Sequence, residues 1–249
     1  MSLRIAVAYE ADADFRTGTE LADRVLVEAV SWLDADLVTH QRDWIGQVGL
    51  ERLTWKTIPR LAQAARIRAH GHIDGNPLEA DAGATRRAIL YLKATFEDLD
   101  GIVLLRDQDD QPERRLGLEQ ARSEHPPKHP EDPQIIIGLA IVEREAWVIA
   151  GFEPQDANEQ TRLDTERQKL GYCPHEKSHQ LTACKDDTAR HSPKRVLRVL
   201  TGGYSDRERR CWNETPLDLL RERGTGNGLV EFLDEVRTRL APLIGRVPA

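Results

Sequence analysis

The segment Gly101-Ile-Val-Leu-Leu is an unbroken apolar run, with Asp100 before it and aspartates from Asp107 after it. It shows no polar alternation, so it has no face to offer to water. A strand of this kind is covered on both sides, the situation of a central strand in a parallel sheet. Leu3–Tyr9 and Ile135–Ile141 share the character. Between and after these runs the apolar spacing becomes helical. Leu21, Ala22, Val25, Leu26 and Ala29 follow a cap expected at Thr19, and Ala88, Ile89, Leu92 and Phe96 mark a helix over 84–96. Pro59 opens a helix running to about Ala69, Pro112 to Ser123 is another, and one more starts near Glu143. A short second strand is expected at Asp36–Thr39. Strands alternating with helices predict an α/β fold, a mostly parallel Rossmann-like sheet flanked by helices.

Polar stretches separate these elements. Glu10 to Gly18 reads as a loop, as does the Gly/Asp/Asn/Pro-rich stretch from His70 to Ala82, and His125 to Pro133 as a rigid proline connector. From Phe152 the pattern changes to helical segments alone, at 159–170, 193–200, 216–223 and 229–244. The reading is therefore an α/β domain over 1–151 and a helical C-terminal extension over 152–249.

Hydrophobic residues make up 39% and charged residues 31% of the 249, the balance of a soluble globular chain. No apolar run approaches the roughly 18 residues of a membrane span, and no secretory leader is legible, so a cytoplasmic location without membrane association is expected. Three cysteines give no disulfide framework. The net charge of −7 argues against bulk nucleic-acid affinity but leaves room for a local basic surface. The stretch 189–213 is one candidate: Arg190, Lys194, Arg195, Arg198, Arg207, Arg209 and Arg210 stand against only Asp206 and Glu208.

Acidic residues recur where strands should end. Glu10 follows the first strand; Asp107, Asp109 and Asp110 follow the 101–105 run; Glu143 and Glu145 follow 135–141. In open α/β sheets, ligands bind beyond the carboxyl ends of the strands. Carboxylates gathered there repel, and hard oxygen donors suit Mg²⁺, Mn²⁺ or Ca²⁺. The bland alternative is that each acid is a helix cap or turn former.

A glutamate after the first strand followed by Asp107-x-Asp109 after a later apolar strand resembles the Toprim domain of topoisomerases, primases and bacterial defence nucleases, over roughly residues 3–150. The element Val142-Glu-Arg-Glu-Ala-Trp147 resembles one in bacterial Toprim-like families related to overcoming-lysogenization-defect nucleases, and Ser192-Pro-Lys-Arg-Val-Leu is similar to their helical tails. The resemblance implies that Glu10, Asp107 and Asp109 are catalytic and bind Mg²⁺ or Mn²⁺. Asp110 and Glu143 or Glu145 would complete a second metal site, and Arg106, Arg114 and Arg144 would contact substrate phosphate. Arg195 and Arg198 are further phosphate candidates from the basic stretch. The expected function is a metal-dependent DNA or RNA nuclease, with anti-phage defence alongside a partner ATPase as an implication of the family. Two alternatives stay open: a non-catalytic interaction or nucleotide-binding module, and a metal-dependent phosphatase or nucleotidyl transferase.

Other motifs carry less. Cys173, His175, His179 and Cys184 fall within a dozen residues, a spacing unlike that of a structural zinc site, so no structural zinc is expected among them. Thr201-Gly-Gly-Tyr and Gly224-Thr-Gly-Asn-Gly lack the lysine of a P-loop and read as turns and caps.

Overall fold

The computed structural model describes residues 2–69, 71–73, 75–129 and 132–245. Residues 70, 74, 130 and 131, within the two expected loops, lie outside the described residues. The order of elements begins β1 (Leu3–Ala8), α1 (Asp12–Ala29), α2 (Val38–Gln41), β2 (Arg42–Ile45), β3 (Gln47–Val48), β4 (Glu51–Arg52) and α3 (Ile58–Ala64). It continues with β5 (His72–Ile73), β6 (Asn76–Pro77), α4 (Ala82–Thr95), β7 (Gly101–Asp107), α5 (Arg114–Ser123), β8 (Gln134–Ala140) and α6 (Arg144–Ala150). Helices follow: α7 (Ala157–Leu170), α8 (Pro193–Thr201), α9 (Ser205–Asn213), α10 (Leu217–Arg223), α11 (Leu229–Glu235) and α12 (Ala241–Ile244).

The fold is α/β. Its central sheet has four strands, all parallel, in the order β2-β1-β7-β8, a Rossmann-like arrangement with helices around it. β3–β4 and β5–β6 form separate two-stranded antiparallel ribbons. The five apolar residues of β7 are buried, as are Ile135–Ala140 of β8, which is why neither strand alternates. No helix among the described residues is long and apolar enough to cross a membrane.

The chain forms two compact units. Unit 1 holds residues through Arg106, Gln111–Gly138 and those from Asp234 onward; unit 2 holds Asp107–Asp110 and Leu139–Leu233. Within unit 1, Ile5 is register-matched to Gly101 and Ala8 to Leu104, while Leu3 is matched to Arg42. The edge strand β2 is half-polar and is pinned by Asp23, which takes both ends of the Arg42 fork at 2.6 and 2.8 Å and the Trp44 indole at 3.0 Å. Within unit 2, α6 packs against the 3₁₀ turn Ser178–Gln180, α8 and α9. Trp147 stacks on Phe232 at 5.2 Å, and its indole donates to Asn227 O at 2.8 Å. Asn227 is fully buried. Its carbonyl also accepts Ile141 N, and its side-chain amide donates to Ser178 Oγ and Ala146 O. The glycine-rich 224–228 stretch is thus a turn that carries a buried polar hub.

Several local expectations change. Helix α1 starts at Asp12, so the acids read as a loop belong to its first turn. Asp14 accepts the Ala11 amide at 2.6 Å, and both acids face the positive end of the helix dipole. Thr19 lies mid-helix, with its hydroxyl on Phe15 O. The strand expected at Asp36–Thr39 is a turn into α2, because Asp34 Oδ1 accepts the amides of Asp36 and Leu37; the strand begins at Arg42. The helix from Pro59 stops at Ala64, before Arg66, whose φ is +58°. A helix unanticipated in the basic stretch, α9, spans Ser205–Asn213. The helix expected over 229–244 is interrupted by a π turn at Val236–Leu240, just ahead of Pro242, which has no amide to donate and crowds the preceding turn.

Candidate functional site

In unit 2 the loops after β7 and β8 bring acidic groups together. Gln108 N donates to Ala140 O at 2.7 Å and Asp109 N to Val142 O at 3.2 Å, so the loops are clipped to each other. Asp107 Oδ1 accepts the Arg144 amide at 2.8 Å, at the first turn of α6. Asp109 has φ +51° and Val142 φ +79°. A β-branched residue in the left-handed region is strained, and such strain persists only where surrounding contacts enforce it. The next residue, Glu143, is 5% exposed. Burial raises its carboxyl pKa, Glu145 and Asp109 add to the rise, and Lys194, 3.2 Å away, opposes it. Arg144 lies 3.1 Å from Glu145 and 3.7 Å from Glu208. Asp107, Asp109, Glu143 and Glu145 therefore lie on two adjacent strand-end loops, with Asp109, like Asp110, exposed.

These groups offer only oxygen, the donor type a hard divalent cation prefers, but among the described residues no three of them lie close enough together to share one ion. Lys194 and Arg144 offset Glu143 and Glu145, and Asp107 is engaged by the Arg144 amide.

Unit 1 holds the remaining candidates. β1 and β7 run parallel in register, so continuing the ladder past Ala8 sets Glu10 beside Arg106. The Arg106 Nε lies 3.7 Å from Glu10 Oε1 and 3.3 Å from Asp81 Oδ2, and its guanidinium rests over the Trp55 ring at 4.8 Å. Asp81 also pairs with Arg114, which is 4% exposed. Arg106 and Arg114 thus share Asp81, a residue that motif reading missed. It stands with φ +65° at the start of α4, inside a stretch that looked like plain loop.

Of the basic stretch, Arg195 forks onto the fully buried Glu166 at 2.6 and 3.0 Å, and Arg207 onto the buried Glu159 at 2.7 and 2.8 Å. Arg198 is exposed. A larger concentration of cations lies elsewhere in unit 1. A groove of about 1030 Å³ is lined by Lys56, Arg60, Arg66, Arg68 and Arg87 and by no acidic residue. These five are spread over 32 positions of sequence, so no charge run announces them.

Of the cysteine–histidine stretch, the structure brings together Cys173, His175 and Glu176, with His179 and Cys184 outside the group. His175 is 7% exposed; burial pushes its pKa down, with Arg223 adding and Glu153 and Glu176 opposing.

No protein-family model, curated protein or solved structure matches the chain.

Proposed function

We propose that the chain is a divalent-metal-dependent phosphodiesterase, a DNA or RNA nuclease of Toprim type. The observation that carries this reading is the gathering of Asp107, Asp109, Glu143 and Glu145 on two clipped, strained loops at the carboxyl ends of neighbouring strands. Asp107 and Asp109 would hold Mg²⁺ or Mn²⁺. The bound cation supplies Lewis-acid polarisation of a phosphoryl oxygen and a water of lowered pKa. Asp107 is oriented by the Arg144 amide. Glu143, whose carboxyl pKa is raised by burial, would hold or take a proton at its carboxylate, with Lys194 opposing the rise. Within unit 1, a groove lined by Lys56, Arg66, Arg68 and Arg87, with Arg60 paired to Glu51, is by itself a surface suited to polyanions. Anti-phage defence with a partner ATPase belongs to the same proposal through the family resemblance.

The test is cleavage of plasmid, single-stranded DNA and tRNA with Mg²⁺ or Mn²⁺ and with EDTA. Cleavage should require the metal and vanish in Asp107→Asn with the fold intact; Glu10→Gln reads whether that carboxylate takes part. Metal-independent cleavage, or full activity in Asp107→Asn, overturns the reading. The cations already paired with Glu143 and Glu145 favour one rival, a non-catalytic module that binds polyanions. Salt-sensitive nucleic-acid binding without cleavage under any metal would select it.

A further inference from the structure

Cys173, Pro174, His175 and Glu176 form one turn after α7, closed by the Lys177 amide on Cys173 O at 3.1 Å. The turn places one thiol sulfur, one imidazole nitrogen and one carboxylate oxygen all within 4.8 Å of one another. Burial pushes the Cys173 thiol pKa up and Glu176 adds to the rise, with Arg167 and the His175 and Glu176 amides opposing it, so a bound cation is what would favour the thiolate here. A second, independent observation concerns the ring. Nε2 of His175 lies 4.0 Å from Glu176 Oε1, and Nδ1 is sealed from solvent without a well-formed hydrogen bond among the described residues, although the Phe152 backbone acts on the ring. A buried polar nitrogen without a full partner is costly, and a cation bound to it would relieve that cost.

The geometry points to a binding site for a borderline-soft divalent cation, zinc in the first instance, formed by Cys173, His175 and Glu176. Thiolate and imidazole donors select zinc, cobalt or copper over Mg²⁺ and Ca²⁺. Around tetrahedral zinc, with Zn–S near 2.3 Å and Zn–N near 2.0 Å, ligand atoms sit about 3.3–3.6 Å apart. The three donors therefore need only a side-chain rotation to close. The Glu176 side chain is 59% exposed, so one flank faces solvent and the fourth position is taken by water. Three protein ligands and an open position describe an exchangeable site rather than a closed structural one. It is separate in chemistry from the all-oxygen set of the proposed nuclease site and does not depend on that reading.

Cobalt(II) titrated into the metal-free full-length chain is the direct test. One equivalent should produce a sulfur-to-cobalt charge-transfer band and the visible bands of tetrahedral cobalt, and one equivalent of zinc should abolish both. Cys173→Ser should remove the charge-transfer band. Glu176→Gln, at an exposed position that leaves folding undisturbed, should weaken binding at least about tenfold. Cys184→Ser and His179→Ala should leave the titration unchanged. Absence of the band at one equivalent, its survival in Cys173→Ser, or unaltered affinity in Glu176→Gln would overturn the site.

Discussion

Unit 1 and unit 2 are held together by different physics. Unit 1 is organised by strands with buried apolar side chains, Ile5, Val7, Ile102 and Leu104 among them, and its ion pairs range from the exposed Arg60–Glu51 to the buried Arg114–Asp81. Unit 2 is helical; its helices α7 and α9 carry few apolar residues, whereas α8 buries Val196, Leu197 and Leu200. Two carboxylates, Glu159 and Glu166, are buried there beneath the forks of Arg207 and Arg195, and Asn227 ties three chain segments together by hydrogen bonds. Where apolar area is short, the fold depends on buried polar groups that are satisfied only in one arrangement. Such groups add little net stability as pairs but penalise every alternative, since a lone buried charge is far more costly than a pair.

The largest effect should come from breaking one of those pairs. Arg195→Ala leaves the fully buried Glu166 with only the half-exposed Lys169 for a partner and should destabilise by about 3–5 kcal/mol. Arg60→Ala, which breaks the exposed pair with Glu51 in unit 1, should cost about 0–1 kcal/mol. Urea unfolding of the two variants measures both. Equal losses would erase the contrast between the units.

Acid should separate the units next. For Glu166 the largest single influence is burial, which raises its pKa, yet Arg195 and Lys169 together hold it below the ordinary value; Arg207 leads the same downward shift at Glu159. Both groups therefore contribute stability that is fully present above the ordinary glutamate pKa of about 4.3 and is lost as pH falls through their lower folded values. Glu143 has the opposite sign: its contribution is present at low pH and lost as pH rises through its raised folded pKa. Amide exchange at decreasing pH should show protection in α7–α9 failing below about pH 4 while β1 and β7 stay protected. Simultaneous loss in both units would contradict this.

Two glycines give a smaller test. Gly117 lies inside α5, where a Cβ would stand 1.7 Å from Ala80 O, so Gly117→Ala should cost about 1–3 kcal/mol through overlap. Gly171 ends α7 with φ +86° and open space around it, so Gly171→Ala should cost about 1–2 kcal/mol through backbone strain alone. Asparagine, which tolerates the left-handed region, should recover much of the loss at 171 and deepen it at 117. Thermal unfolding of the four variants separates a limit of space from one of conformation.

Much of the scaffold is legible in the order of residues. Apolar runs at 3–9, 101–105 and 135–141 mark three of the four central strands because burial on both faces leaves no alternation to obscure them. The acids after β7 and β8 are equally visible, since the end of a strand is a position along the chain. The fourth strand escapes this reading. β2 is half-polar and owes its place to Asp23, a partner 19 positions away from Arg42.

What lies between segments was settled only by tertiary structure. Asp81 looks like a loop residue until the fold sets Arg106 and Arg114 on either side of it. The five groove cations are unremarkable one by one and become a surface only when α3, the chain after it and α4 are packed. Arg195 and Arg207 read as free basic charge; in the folded chain each is spent on a buried glutamate 29 or 48 positions away. Local pattern records burial and periodicity because these act along the chain. Charge pairing acts through space, so the sequence states which charges exist and the packed structure decides which remain available.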